Sequence, residues 1–178
     1  MSIRKKFLRC IYFVVALWAA SVIVFEKCYQ DVSMCFTPTN ETAVPWCITI
    51  HQDGISRHVT LDEINRYHKD TCKYDCGLAY NYVVTEDKIY KIRDEHQRGS
   101  HVKNGNTGNI GICVHGNFDD GRPTLKQQIL VICLVNKLCL EYQIPKENIK
   151  GHRDWIDNNT SCPGKNFDLE GLKKWILI

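Results

Sequence analysis

The stretch from Cys10 to Phe25 constrains the chain more than any other part of the sequence, because it runs for sixteen residues without a charge. It follows the basic segment IRKKFLR. A bilayer core about 30 Å thick needs about 17–25 residues of helix, and Phe7 and Leu8 lengthen the apolar run towards that span. The 178 residues therefore divide into a membrane-type segment and a remainder that is long enough to bury one hydrophobic core.

Two interpretations of this segment stay open. A basic segment followed by an apolar one is typical of a cleaved signal peptide, which would give a secreted protein, but no small-residue cleavage site follows Phe25. An uncleaved signal-anchor is favoured, with its basic residues holding the N-terminus in the cytoplasm. We therefore expect a basic tip and single transmembrane helix over residues 1–26, a polar stalk over 27–44 and an extracytoplasmic domain over 45–178.

The cysteine count and the charge restrict the setting of this domain. Ten cysteines suit an oxidising compartment, which permits disulfides, although sequence does not choose their pairing. Cys133 and Cys139 are six residues apart on a predicted helix, so they point to different sides and cannot bridge each other.

A net charge of +3 without basic runs among aromatic residues gives no sign of nucleic-acid binding. We expect a monomer.

The region after Pro45 mixes predicted strands and helices without strict alternation. Residues rich in β-formers predict strands at CITIH, on both sides of Glu86-Asp87 and at GNIGICVHGNF. Capping boxes at Thr60 and Thr124 predict two helices, and FDLEGLKKWILI predicts a closing one. The helix after Thr124 is apolar around most of its girth and is expected to be buried. Together these elements predict an α/β or α+β domain, with helices flanking a central mixed β-sheet.

A late polar loop, GHRDWIDNNTSCPGKNF, places an imidazole and a thiol ten residues apart, at His152 and Cys162. A surface histidine and a half-cystine are the plain interpretations of this pair. A second histidine, His51, ends the first predicted strand of the domain, at an edge of the sheet. Two histidines and a cysteine with an open fourth position are typical of a catalytic zinc site. No spacing rule links the two histidines, so the residues alone leave both interpretations open.

Five stretches in the same order resemble the zinc N-acetylmuramoyl-L-alanine amidases of the amidase-2 superfamily, which includes phage lysozyme-type amidases and peptidoglycan recognition proteins. The stretches are ITIHQ, EINRYHKD, GLAYNYVVTEDKIYKIRDE, GSHVKNGNTGNIGICVHGNF and GHRDWIDNNTSCPGKNFDL. GSHVK and IGICV are most similar to the phage branch. The resemblance implies the peptidoglycan recognition protein fold, a Zn²⁺ cofactor and hydrolysis of the amide between N-acetylmuramic acid and L-alanine in bacterial peptidoglycan.

The resemblance also implies roles for individual residues. It places zinc ligands at three positions: His51, His152 and Cys162. Tyr80 takes the catalytic tyrosine position, and Thr160 takes a position near the reacting carbonyl where relatives carry Lys or Thr. His101, in the Gly-Ser-His stretch, is implied either as a substrate-cleft residue or as a structural histidine. Peptidoglycan is then the expected partner, and the N-terminal helix would add contact with a membrane.

The chain departs from the family pattern in two places. Cys113 stands where some relatives carry a glutamate base, although the phage branch also lacks that glutamate. Ala79 and Gly77 replace the glycine and aspartate that often precede the tyrosine. Recognition proteins that only bind usually lack the cysteine ligand, so Cys162 favours an enzyme. A non-catalytic peptidoglycan receptor or decoy is the alternative.

Overall fold

A six-stranded mixed sheet forms the centre of the domain in the computed structural model, which describes residues 23, 26–32, 43–73 and 77–177. The strands are β1 (Tyr29–Asp31), β2 (Cys47–Gln52), β3 (Tyr82–Val84), β4 (Ile89–Lys91), β5 (Asn109–Val114) and β6 (Ile149–Gly151). The helices are α1 (Leu61–Asp70), α2 (Leu125–Tyr142) and α3 (Leu169–Lys173), with 3₁₀ turns at Lys146–Asn148 and His152–Asp154. The predicted α/β architecture with a mixed central sheet is confirmed.

The strand order is β1-β4-β3-β5-β2-β6, in which β3 and β4 are antiparallel and the other neighbours are parallel. The central strands β2 and β5 are buried along almost their whole length. Parallel strands covered on both faces require such near-continuous apolar sequence. In register, His51 of β2 lies opposite Cys113 of β5.

Successive side chains of the central strands point alternately to the two faces of the sheet. Ile50 and Ile112 join the large core that α2 covers, through residues such as Leu134. Their neighbours in sequence, His51 and Cys113, point to the opposite face, where Cys113 belongs to a smaller cluster with residues of α1. The sheet therefore isolates a polar face from the main core, and the candidate site lies on that face.

Both predicted capping boxes are present. The Thr60 side chain accepts from Glu63 N and the Glu63 carboxylate accepts from Thr60 N, and Thr124 and Gln127 form the same pair at α2. Helix α2 is buried along one face, as residues such as Leu134 show, but its apolar residues Leu125 and Leu140 are exposed, so the predicted burial holds only in part. The closing helix is also shorter than predicted, since α3 ends at Lys173.

The structure corrects two further expectations. Tyr29–Asp31 forms β1 and pairs with β4, so this part of the predicted stalk at 27–44 belongs to the sheet. The seven cysteines that the structure describes are free thiols, so the expected disulfides are not formed among Cys28, Cys47, Cys72, Cys113, Cys133, Cys139 and Cys162.

The predicted transmembrane stretch at 10–25 lies outside the described residues, except for Ile23. Among the helices that are described, none combines the length and the apolar character needed to cross a bilayer.

Candidate metal centre

Two strands and one loop bring the predicted ligands together. β6 pairs with β2 in parallel, with Gly151 opposite Ile50, so both strands end at the same edge of the sheet. His51 lies near the end of β2, and His152 follows β6 directly in a 3₁₀ turn. Because parallel strands present their carboxyl ends together, the two imidazoles meet, and their ring centroids are 4.6 Å apart.

Cys162 returns to this edge from the late loop. Its Sγ lies 3.7 Å from His51 Nδ1, and the backbone N–H of Arg153 donates to the Cys162 carbonyl at 2.8 Å. One donor atom from each of His51, His152 and Cys162 lies within 4.8 Å of the others. Zinc bonds of about 2.0–2.3 Å require ligand atoms within about 4 Å of one another, so the group is close to the spacing that one ion needs.

The donor set suits zinc chemically. Imidazole nitrogen and thiolate sulfur are ligands that zinc takes in proteins, whereas magnesium and calcium prefer oxygen. Burial lowers the pKa of His51 well below its usual value, and the neighbouring His101 and His152 lower it further. Burial raises the pKa of the Cys162 thiol to about 11. The metal-free site therefore holds a neutral imidazole and a thiol, and a metal would displace the thiol proton.

Each histidine of the group has a hydrogen-bond partner at its Nε2 atom. His51 Nε2 lies 3.0 Å from His101 Nδ1, and His152 Nε2 lies 2.9 Å from Asn158 Oδ1. His101 is 7 % exposed, and burial lowers its pKa to about 3. Its contacts therefore fit the structural alternative for this residue better than a place in the substrate cleft.

Tyr80 lies in the turn before β3, with its ring centroid 5.1 Å from that of His51. Burial raises the pKa of the Tyr80 hydroxyl well above its usual value, and the proximity of Cys113 raises it further. The hydroxyl therefore keeps its proton at neutral pH and is a hydrogen-bond donor beside the metal-ligand group, with Cys113 as its partner.

Thr160 is exposed in the late loop, two residues before Cys162. Its Oγ1 accepts a hydrogen bond from the Cys162 N–H at 3.1 Å. This bond fixes the turn that carries the thiol, and it leaves the hydroxyl proton of Thr160 for another acceptor.

Sequence reasoning did not find the residues that hold the late loop in place. Asp119 accepts from the Ser161 hydroxyl at 2.7 Å and from Lys165 N at 3.1 Å, and it also accepts from the Gln52 amide at 3.0 Å. Asn158 contacts both His152 and Lys103 N. The sequence placed Asn158 in a polar loop, but it did not predict the contact with Lys103, which lies 55 residues away in the chain.

The fold and this cluster define an α/β protein with a His–His–Cys centre at the carboxyl edge of parallel strands. Residues 41–165 match the sequence model of Amidase_2, described as N-acetylmuramoyl-L-alanine amidase. The chain belongs to this family.

Individual relatives agree with this assignment. The chain is 36 % identical to the endolysin of Enterobacteria phage T3 over 126 residues, which is 67 % of this chain and 76 % of the relative. It is 28 % identical to a peptidoglycan-recognition protein of Drosophila simulans over 139 residues, 76 % of this chain and 71 % of the relative. The solved structure of the amidase LysC from Clostridium intestinale URNW aligns with a TM-score of 0.73 at 30 % identity, covering 82 % of this chain and 95 % of LysC.

These relatives include phage endolysins, peptidoglycan recognition proteins and a solved amidase, as the sequence resemblance indicated. They support amidase activity on peptidoglycan.

Proposed function

We propose that the protein is a zinc-dependent hydrolase of the amide bond between N-acetylmuramic acid and L-alanine in bacterial peptidoglycan. The observation that carries the proposal is the grouping of His51, His152 and Cys162 within 4.8 Å of one another. This grouping occurs in a chain of the amidase family. Cys162 matters most, because its thiolate would complete three protein ligands and leave one position open, as in catalytic zinc sites.

The residues around the site would have separate roles. His51, His152 and Cys162 would hold Zn²⁺, which when bound would lower the pKa of a water ligand towards about 7 and polarise the substrate carbonyl. Tyr80, which keeps its proton, donates a hydrogen bond to the carbonyl oxygen as negative charge develops there. Thr160 presents its hydroxyl from the late loop while its Oγ1 holds the Cys162 turn.

Cys113 does not replace the glutamate base of some relatives. It is 1 % exposed, and burial raises the pKa of its thiol well above the usual value. A thiol that stays protonated cannot accept a proton at neutral pH. Cys113 instead packs beside Tyr80 and is the hydrogen-bond partner of its hydroxyl. Tyr80 is assigned the role of a hydrogen-bond donor.

A second candidate is a receptor that binds muropeptide without turnover. The relatives named as peptidoglycan recognition proteins favour it. Such a receptor would keep the binding cleft and would not need the thiol, whereas this chain places Cys162 beside both histidines. Metal dependence of turnover separates the two candidates.

We also propose that the domain acts outside the cytoplasm, where peptidoglycan lies. The apolar stretch at 10–25 would serve as a signal-anchor or as a cleaved signal peptide.

The test is turnover of purified peptidoglycan by the full chain after metal removal with a chelator. Adding back about one equivalent of Zn²⁺ is expected to restore hydrolysis, and Mg²⁺ is not, because the donor set contains no oxygen ligand. Zinc content per chain would be measured on the same samples. Muropeptide binding with no turnover in the zinc-loaded protein would instead support the receptor.

A further inference from the structure

The hydrogen bonds behind the two histidine ligands fix which ring nitrogen each can offer to a metal. His101 Nε2 lies 3.2 Å from the backbone carbonyl oxygen of Asn109. A carbonyl only accepts, so the proton of the neutral His101 ring is on Nε2, and Nδ1 is an acceptor. That Nδ1 lies 3.0 Å from His51 Nε2, which must therefore carry the proton. His51 Nδ1 is left unprotonated, facing Cys162 Sγ at 3.7 Å.

The proton of the neutral His152 ring is likewise placed on Nε2, in this case by the side-chain amide of Asn158. Asn158 Nδ2 donates to the Ile156 carbonyl at 2.9 Å, and Asn158 Oδ1 accepts from Lys103 N at 3.2 Å. These two bonds settle which end of the amide is oxygen. Asn158 Oδ1, 2.9 Å from His152 Nε2, accepts the proton on that nitrogen. In the neutral ring of His152 the single proton is then on Nε2, and Nδ1 is the nitrogen with a free lone pair.

The position of the His101 ring is fixed by its surroundings. A Cβ placed on Gly99 or on Gly111 would lie 2.6 Å from the ring, so the absence of a side chain at these two positions leaves the space that the ring occupies. The backbone N–H groups of His101 and Val102 both donate to Asn106 Oδ1, at 2.9 and 2.8 Å. The ring thus has little freedom to turn and exchange its two nitrogens.

We infer that His101 and Asn158 are positioning residues that hold His51 and His152 in the Nε2–H tautomer before any metal binds, so that both offer Nδ1 to the ion. The inference rests on the proposed zinc function. It goes beyond it because it concerns two residues that are not ligands and a state of the metal-free protein. We call these two sets of hydrogen bonds the relay: one links the Asn109 carbonyl through His101 to His51, and the other links Asn158 to His152. Partners of this kind typically change metal affinity about 10–100-fold when they are removed.

The first test is nuclear magnetic resonance of the metal-free full chain labelled with ¹⁵N. Ring-nitrogen shifts and couplings identify the protonated nitrogen of each histidine. We expect Nε2–H for His51, His101 and His152. An Nδ1–H form of His51 or His152 in the metal-free wild type would overturn the inference. The measurement does not depend on turnover, so it tests the tautomers even if the protein proves to be a receptor without amidase activity.

The second test compares two substitutions of His101 that separate hydrogen bonding from packing. His101→Phe keeps a ring between Gly99 and Gly111 but has no acceptor, so His51 can move its proton to Nδ1. His101→Asn loses ring volume but keeps an oxygen near the position of Nδ1. The relay predicts about 10–100-fold weaker Zn²⁺ binding for the Phe variant and a smaller loss for the Asn variant. A role in packing alone predicts the reverse order, and that order would overturn the inference.

A matched pair at Asn158 extends the comparison to His152. Asn158→Asp keeps an acceptor for His152 Nε2, whereas Asn158→Leu removes it at similar size. Zinc affinity is expected to fall about 10–100-fold in the Leu variant and not in the Asp variant. His96→Phe, at an exposed histidine that contacts Tyr142, is the control and should bind zinc like wild type. Equal zinc affinity of the Leu and Asp variants would contradict the part of the relay assigned to Asn158.

Discussion

Replacement of Cys162 by serine is expected to abolish turnover and to weaken Zn²⁺ binding by about 10³-fold or more, because it removes a ligand rather than a ligand's partner. Serine is close to cysteine in size, and its hydroxyl can accept the hydrogen bond that Gln52 N donates to Cys162 Sγ at 3.3 Å, so the fold should survive. The loss should therefore appear in metal content and hydrolysis, with little change in the midpoint of thermal unfolding of the metal-free protein.

Cys133→Ser is the matched control for this substitution. Cys133 is a free thiol on α2, the helix that covers the other face of the sheet. Its replacement should leave both zinc content and turnover unchanged. A Cys162→Ser variant that kept stoichiometric zinc and normal turnover would remove this residue from the metal centre.

Tyr80→Phe is expected to lower kcat by about 10²–10³-fold, the usual effect of removing one hydrogen-bond donor to a developing oxyanion. Zinc affinity should stay close to that of wild type, because the Tyr80 hydroxyl is not among the donor atoms of the metal group. The KM should change little, since the bond strengthens mainly in the transition state. Steady-state kinetics on a soluble muropeptide, beside zinc titration, would separate these effects.

Tyr67→Phe provides the control, because Tyr67 lies on α1 and is 56 % exposed. It should have wild-type kinetics. A Tyr80→Phe variant with an unchanged kcat would show that the hydroxyl does not take part in the rate-limiting step, and the oxyanion role would then pass to Thr160 alone.

The grouping of the candidate metal ligands could be predicted from the sequence only where it depends on the ends of strands. His51 stood at the end of an apolar β-run, and such a run in a mixed sheet ends at an edge where loops meet. The capping boxes at Thr60 and Thr124 similarly marked helix starts from four residues of sequence each. These features are local, so the sequence alone was enough to find them.

The missed features depend on contacts that sequence does not display. β1 and β6 are three residues long, and each exists because a neighbouring strand offers hydrogen bonds. β6 is nevertheless the strand that brings His152 to His51. The contact of His101 with His51 links residues 50 positions apart and depends on the space left at Gly99 and Gly111. Gly99 could be read from the sequence, but the sequence did not show that the His101 ring packs against it.

The most direct test of the proposed activity is the identity of the bond that is cut. Purified peptidoglycan would be incubated with the zinc-loaded full chain, and the products would be identified by mass spectrometry. The proposal predicts intact glycan strands that carry free lactyl carboxylates, together with released stem peptides that begin at L-alanine. New sugar reducing ends, cuts between amino acids of the stem, or bound but uncut muropeptides would contradict it.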